Sequence, residues 1–225
     1  MRRQRILVTR HPETMANIAG TLSGRSDVDL SAEGEDQMYR AIRAIVAWRP
    51  DRIWTSPLSR CQSIAREAAN ALGIPCEVNP NLAEIEFGRA QGLTLAQVRE
   101  LGYDFPWQLD DEGRSHPIQG GESFERLYAR AEVLLDQLRP LEGRTSCVTH
   151  GGFTRALLGR MLNVPLDTFW NVRIPNVSSQ VVTCDDGTFR LASLGLAPEE
   201  VVRRSENPAL LGRDTTEKLS GSDDE

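Results

Sequence analysis

The chain has 225 residues, 40% hydrophobic and 26% charged, which is enough to bury a core without disulfides or structural metal. With 26 basic against 32 acidic residues the net charge is −6, a balance that argues against a nucleic-acid partner. Lys218 is the only lysine and lies in a polar terminal stretch, so Walker-type phosphate loops and Schiff-base chemistry are all but excluded from the body. Any phosphate handled here falls to Arg, His and backbone.

The four cysteines, Cys61, Cys76, Cys147 and Cys184, form no C-x-x-C pair, which reads as four reduced core thiols of a cytoplasmic protein. No secretory leader is visible, and no apolar run approaches the ~20 residues that span a bilayer.

In chain order, Arg5–Thr9 reads as a short buried strand that stops at Arg10-His11-Pro12, because Pro12 cannot donate a ladder hydrogen bond. A weak helix start falls near Thr14. Ser31 caps a helix from about Ala32 to Trp48, with Met38, Ala41, Ile42, Ile45 and Val46 on one stripe. Arg52–Thr55 is a second strand, closed by Ser56-Pro57. A helix then carries Cys61, Ile64, Ala65, Ala68 and Leu72 and stops at Gly73. Ile74–Val78 is a third strand, Pro80–Gly92 is loop, and Thr94 caps a short helix to Leu101. Residues 102–121 read as an irregular surface excursion. Ser123–Leu138 has the clearest helical stripe, and Thr145–Thr149 is a strand ending at His150-Gly151-Gly152 ahead of another helix. A hairpin over Gln180–Cys184 and Thr188–Ser193 turns at Asp185-Asp186-Gly187. Signals fade beyond Ala197, and 197–225 reads as a polar, partly disordered tail.

Strands alternating with amphipathic helices give an α/β fold with a mostly parallel sheet. Ligands of such sheets bind outside the carboxyl ends of the strands. Arg10 and His11, then Arg60, then His150 all follow strand ends. Guanidinium forks hold a phosphate dianion, Gly151 and Gly152 at a helix start add backbone donors, and an imidazole facing the anion can attack phosphorus. The leaving alcohol then needs a proton from a carboxylic acid. Taken singly, each residue has a plainer structural reading; their joint placement favours a site. A zinc site on His11 and His150 is a weak competitor for want of a third ligand. His116, in the excursion, is most simply a surface residue.

Thr9-Arg10-His11-Pro12-Glu13-Thr14 with Asn17 resembles the R-H-G-E-[ST]-x-x-N signature of the histidine phosphatase (phosphoglycerate mutase-like) superfamily. Gly24–Gly34, Thr55–Ala65, Pro117–Ser123 and His150-Gly151-Gly152 match further segments in order. The resemblance covers roughly Ile6–Leu194. It implies a phosphoglycerate mutase-like α/β domain over 1–196 with helices on both sheet faces, and metal-independent hydrolysis of a small phosphomonoester through phosphohistidine. It implies no cofactor, and neither membrane nor nucleic acid as partner; a homodimer is one option. By the same resemblance His11 is the nucleophile. Arg10, Arg60 and His150 hold the phosphoryl group with Asn17 and the Gly151 backbone, Glu84 is the general acid and then base, and Glu13 is structural. The departure is Pro12 where the family has Gly: a backbone donor is lost and the loop is open to reshaping and to reduced activity, but the site is expected to survive because residue 11 already follows a strand.

Mutases of the family carry Arg-His-Tyr where this chain has Ile85-Glu86-Phe87. Glu86, with Asp110, Asp111 and Glu112 in the excursion, is expected to repel a polyanion, which favours a phosphatase. Phe87, Phe105 or Trp107 either contact an uncharged leaving group or simply pack locally. Mutase-type transfer and a non-catalytic phosphate-binding protein, the latter supported by Pro12 alone, remain the alternatives. Sugar phosphates, α-ribazole phosphate, phosphoserine and nucleotide monophosphates are all open as substrates.

Overall fold

A computed structural model describes residues 3–207. Six strands form one sheet: β1 (Arg3–Arg10), β2 (Arg52–Thr55), β3 (Cys76–Val78), β4 (Gly143–Thr149), β5 (Ser179–Asp185) and β6 (Thr188–Leu196). Their order across the sheet is β3-β2-β4-β1-β5-β6. The pairs β3–β2, β2–β4 and β4–β1 are parallel, whereas β5 runs antiparallel to β1 and to β6. The sheet is therefore mostly parallel, with an antiparallel hairpin on one edge. The third strand is shorter than the apolar run suggests, since Ile74 and Pro75 form the turn after Gly73 and the ladder starts only at Cys76.

The pleat divides the core into two layers. Ile6 and Val8 of β1, with Cys147 and Val182, join α5 (Phe124–Leu138) and α6 (Gly151–Met161) on one face. Leu7, Ile53, Val148 and Val181 join α2 (Ala32–Trp48) and α3 (Ser59–Leu72) on the other. The stripes read in the sequence are the buried ones: Ala41, Ile45 and Trp48 on α2, and Phe124, Leu127, Ala131, Leu134, Leu135 and Leu138 on α5. Ser31 caps α2 through the Gly34 N–H at 2.9 Å. The weak start near Thr14 becomes α1 (Met15–Ala19), closed by a reciprocal cap between Thr14 and Asn17. Thr94 and Gln97 cap α4 (Leu95–Glu100) in the same way.

Two expectations need correction. Residues 197–225 were expected to form a polar tail, but Pro198–Glu206 is a helix, α7, whose buried Val201 belongs to the same cluster as Ala41 and Ile45 of α2. Arg40 of α2 also holds Glu199 at 2.6 Å. The rest of that stretch, 208–225, lies outside the described residues. The excursion at 102–121 is not wholly on the surface either, because Trp107 and Ile118 are buried in the core. Phe105 and Trp107 pack edge-on at 4.8 Å and Phe87 against Phe105 at 4.9 Å, so the three rings form local packing. Among the described residues no helix is long and apolar enough to cross a membrane.

Candidate active site

The register of the parallel strands builds the site. Arg10 is opposite Thr149, and Thr55 is opposite Val148, so the residues that follow leave one sheet edge together. The His11 N–H donates to Thr149 O at 2.9 Å and the Ser56 N–H to Val148 O at 3.0 Å, extending each ladder by one step. His11 and His150 thus face each other with ring centroids 5.2 Å apart. Both are buried.

His11 is oriented by its own chain. Its Nδ1 lies 2.6 Å from the Pro12 carbonyl, which can only accept, so Nδ1 carries the proton and Nε2 keeps its lone pair. The residue expected to weaken the site supplies this acceptor, and that contact needs no N–H at position 12. The Asn176 amide donates to His11 O and to Asn17 Oδ1, both at 3.2 Å. Asn17 Oδ1 also accepts the Thr14 N–H, so Asn17 braces the loop behind His11. Glu13 accepts from Ser31 Oγ at 2.7 Å, the structural part expected of it. His150 is held by Ser56, its Nε2 lying 2.7 Å from Ser56 Oγ.

Two guanidinium groups bracket the histidines. Arg60, on the first turn of α3, donates to Ser26 O and Gly24 O at 2.8 Å each, while Arg10 donates to Ile174 O at 2.5 Å. The Nε atoms of both are buried and have no hydrogen-bond partner among the described residues. Among the described residues neither arginine has a carboxylate within ion-pair distance, an arrangement suited to an anion.

Glu84 comes from the loop after a 3-10 turn at Pro80–Leu82. Its carboxylate accepts the N–H groups of Gly152 at 3.0 Å and Phe153 at 2.9 Å. It caps α6 through space, where His150 provides no side-chain cap. A Cβ at Gly152 would lie 2.5 Å from Glu84 Oε1 and 2.9 Å from the Trp170 ring, so this approach requires glycine. The Gly151 N–H is not among those that Glu84 takes. Arg130 fixes the acid loop, donating to the carbonyls of Asn81, Ala83 and Glu84 while gripping both oxygens of Glu122.

Burial lowers the Arg10 pKa to about 10, with Glu84 opposing and Arg155 and Arg60 adding to the shift. His11 titrates well below the usual histidine value, first because it is buried and then because Arg60 and Arg10 face it. His150 is lowered too, by burial, Arg60, His11 and Arg10. Cys61, whose Sγ lies 3.5 Å from His150 Nε2, is pushed up to about 12 by burial and is no nucleophile. Near neutral pH both imidazoles are uncharged, and the site's positive charge comes from arginine.

A stability prediction follows from these two shifts. Each folded-state pKa is below the unfolded value near 6.5, so below that pH the unfolded chain binds protons that the folded chain refuses. Stability is then complete above pH ~6.5 and falls as the pH drops toward the folded values, by up to about 2.7 kcal/mol per pH unit for two protons. Urea midpoints at pH 7.5 and 5.5 measure this. His11→Ala should remove about half of the slope, and an unchanged slope would count against the burial of that charge.

The structure brings together Arg10, His11, Arg60, Glu84, His150 and the start of α6 at Gly151; Asn17 stands one step back, behind the His11 loop. The sequence reading did not single out Ser56 as a partner of His150, and it missed Asn176, Arg130 and Arg155. Ser56 carried a signal, since it follows a strand end as His11 and His150 do. The acidic field expected of Glu86 and the excursion is compensated only in part, since Arg25 is shared between Glu86 and Glu122 and Arg114 between Asp110 and Glu112. Glu86 lies 3.7 Å from Arg25, Asp110 binds Arg114 and His116 at 3.1 Å each, and Glu112 binds Arg114 at 2.6 Å. Among the described residues no three His, Cys, Asp or Glu side chains are grouped to hold a metal ion.

A model of the histidine phosphatase superfamily, branch 1, matches residues 6–197. The chain belongs to that superfamily. Phosphoserine phosphatase 1 of Hydrogenobacter thermophilus is 27% identical over 184 residues, 81% of this chain and 87% of the relative. A probable phosphoglycerate mutase, GpmB of Yersinia enterocolitica, is 27% identical over 175 residues, 77% of this chain and 81% of the relative. Among solved structures, Bacillus stearothermophilus YhfR superposes with a TM-score of 0.76 at 28% identity, covering 85% of this chain and 96% of that one. The mutase-like α/β architecture expected from the signature is the fold of these histidine phosphatases, and the superfamily's known relatives include phosphatases of small phosphorylated metabolites.

Proposed function

We propose that this protein is a metal-independent phosphomonoester hydrolase that passes the phosphoryl group of a small metabolite through His11. The observation that carries the reading is the pair of guanidinium groups, each with a buried Nε that has no partner among the described residues, around an imidazole whose Nδ1 proton is already committed to Pro12 O. His11 Nε2 attacks phosphorus, and the P–O bond to the leaving alcohol breaks as the P–N bond forms. Arg10, Arg60, His150 and the Gly151 N–H steady the transferring oxygens. Glu84 gives its proton to the departing oxygen, then takes one from the water that cleaves the P–N bond and frees His11. Asn17 contributes by holding the nucleophile loop. The four unpaired cysteines agree with a reducing, cytoplasmic setting.

Mutase-type transfer uses the same histidine but returns the phosphoryl group to a second bound oxygen. The Ile85-Glu86-Phe87 segment disfavours it, because two apolar side chains and an acid offer no cation to a second anionic group. The deciding experiment is phosphate release from p-nitrophenyl phosphate and aliphatic monoesters, with and without EDTA. Turnover that persists in EDTA and passes through an acid-labile phosphoenzyme supports the hydrolase. Interconversion of phosphoglycerates without net phosphate release overturns it.

A further inference from the structure

Arg130, in the first half of α5, spends its whole guanidinium on the loop that carries Glu84. Its Nε and Nη2 grip the two carboxylate oxygens of Glu122 at 3.0 and 2.9 Å. Its Nη1 donates to the carbonyls of Asn81 and Ala83 at 2.8 and 2.6 Å, and Nη2 gives its other proton to Glu84 O at 3.3 Å. A guanidinium has five N–H donors, and each of these five contacts takes one. The pair is buried, with 13% of the Arg130 side chain and 8% of the Glu122 side chain exposed. Glu122 is itself tied to the acid loop, its N–H donating to Glu86 O at 2.7 Å and its Oε2 accepting the Glu86 N–H at 3.2 Å. Arg25 adds an outer arm, from Nε to Glu84 O at 3.2 Å and from Nη2 to Glu122 Oε2 at 3.3 Å.

The same guanidinium also reaches the carboxyl end of Glu84. It lies over the Phe153 ring, 4.8 Å from the centroid, and the Phe153 N–H donates to Glu84 Oε1 at 2.9 Å. The Ile85 N–H, next along the loop, donates to the same oxygen at 2.9 Å. One side chain therefore touches both the backbone from which Glu84 hangs and the ring of a residue that holds its carboxyl. Proton delivery to a leaving oxygen needs the donor within hydrogen-bond reach, and a displacement of about 1 Å is enough to spoil it. With every donor committed, Arg130 has none to offer a phosphate, so its effect on the reaction passes through Glu84. Lysine carries its donors on a single nitrogen and cannot reproduce a planar fork that meets a carboxylate and the loop carbonyls together.

We propose that Arg130, with Glu122 as its counter-ion, is the positioning residue for the general acid, governing proton delivery to the leaving group and not capture of the phosphoryl group. The inference rests on the hydrolase reading above and adds to it the residue that sets the acid in place. Ethyl phosphate and p-nitrophenyl phosphate test it, because only the first needs a proton on its leaving oxygen. In Arg130→Met, kcat/KM for ethyl phosphate should fall about 30-fold, whereas single-turnover release of nitrophenolate should stay within about threefold of the wild type. Arg130→Lys should lie in between, and Glu122→Gln should repeat the pattern more weakly. In a Glu84→Gln background, Arg130→Met should lower ethyl phosphate turnover by less than about threefold more, since the acid it places is already gone. A loss that is equal for both esters, or that repeats in full in the Glu84→Gln background, overturns the proposal and leaves Arg130 a residue of the fold alone. Amide hydrogen exchange gives a second readout that needs no turnover. The N–H groups of Gly152 and Phe153 should exchange about tenfold faster in Arg130→Met while those of β4 keep their protection. Unchanged exchange at both overturns the positioning. Should the wild type release phosphate from neither ester, the hydrolase reading falls, and the exchange result then decides whether Arg130 places the Glu84 carboxyl. Arg130→Lys and Glu122→Gln keep the test intact should Arg130→Met not fold.

Discussion

His11→Ala should lower phosphate release by about 10⁴-fold or more, the scale on which loss of a covalent nucleophile is felt. No other group can take its place. His150 is the nearest imidazole, but its Nε2 is engaged with Ser56 Oγ, and Cys61 is buried with its thiol held protonated. The fold should survive, because a buried polar ring beside two cations is replaced by a small apolar group, and thermal unfolding would check this. A quenched reaction should give an acid-labile phosphoenzyme from the wild type and none from the variant. Retention of more than about one per cent of turnover would remove His11 from the mechanism.

Glu84→Gln should separate the two halves of the reaction. p-Nitrophenolate leaves without a proton, so phosphorylation of His11 needs no acid with that ester, whereas hydrolysis of the phosphoenzyme still needs a base. The expected result is a burst of nitrophenolate equal to the enzyme concentration, followed by turnover slowed about 10²–10⁴-fold, with phosphohistidine accumulating. An aliphatic ester needs the acid from the start and should show slow turnover without a burst. The substitution carries a structural cost as well. Glutamine offers one acceptor where the carboxylate offers two, and the N–H groups of Gly152 and Phe153 use both oxygens. A loss of about 1 kcal/mol of stability is expected from the weakened cap. Unchanged turnover of both esters would sink the assignment of Glu84.

The strand-end residues were legible because their positions depend on local chemistry. Pro12 ends β1, Pro57 follows β2, and the glycine pair starts α6, so His11, Ser56 and His150 fall on one edge once the sheet is parallel. Glu84 was not legible in this way. Its segment reads as a surface loop with two acids, and its place at the start of α6 depends on a contact across 68 residues. Only the resemblance to the superfamily selected it over Glu86. Arg155 was hidden because an arginine on an amphipathic helix reads as a solvated residue, and the Val172 carbonyl and Trp170 ring that fix it come from a later loop. The partners of the acids were not read, because charge was counted along the chain. Arg114 sits four residues after Asp110 and could have been noticed, but the Arg25–Glu86 pair spans two loops and could not. Pro12 was judged by the donor it lacks, whereas the His11 ring uses its carbonyl.

Helix α7 was missed because only Val201 and Val202 interrupt its charged residues, yet it closes one side of the molecule. A chain ending at Leu196 would keep every strand and every residue of the candidate site. It would also take Val201 out of the cluster that holds Ala41 and Ile45 of α2, and free Arg40 from Glu199. Apolar surface uncovered in this way favours association between copies. Shortened forms would then self-associate and precipitate while their chemistry stayed intact, so α7 acts as a solubility cover whose loss shows in aggregation before it shows in turnover.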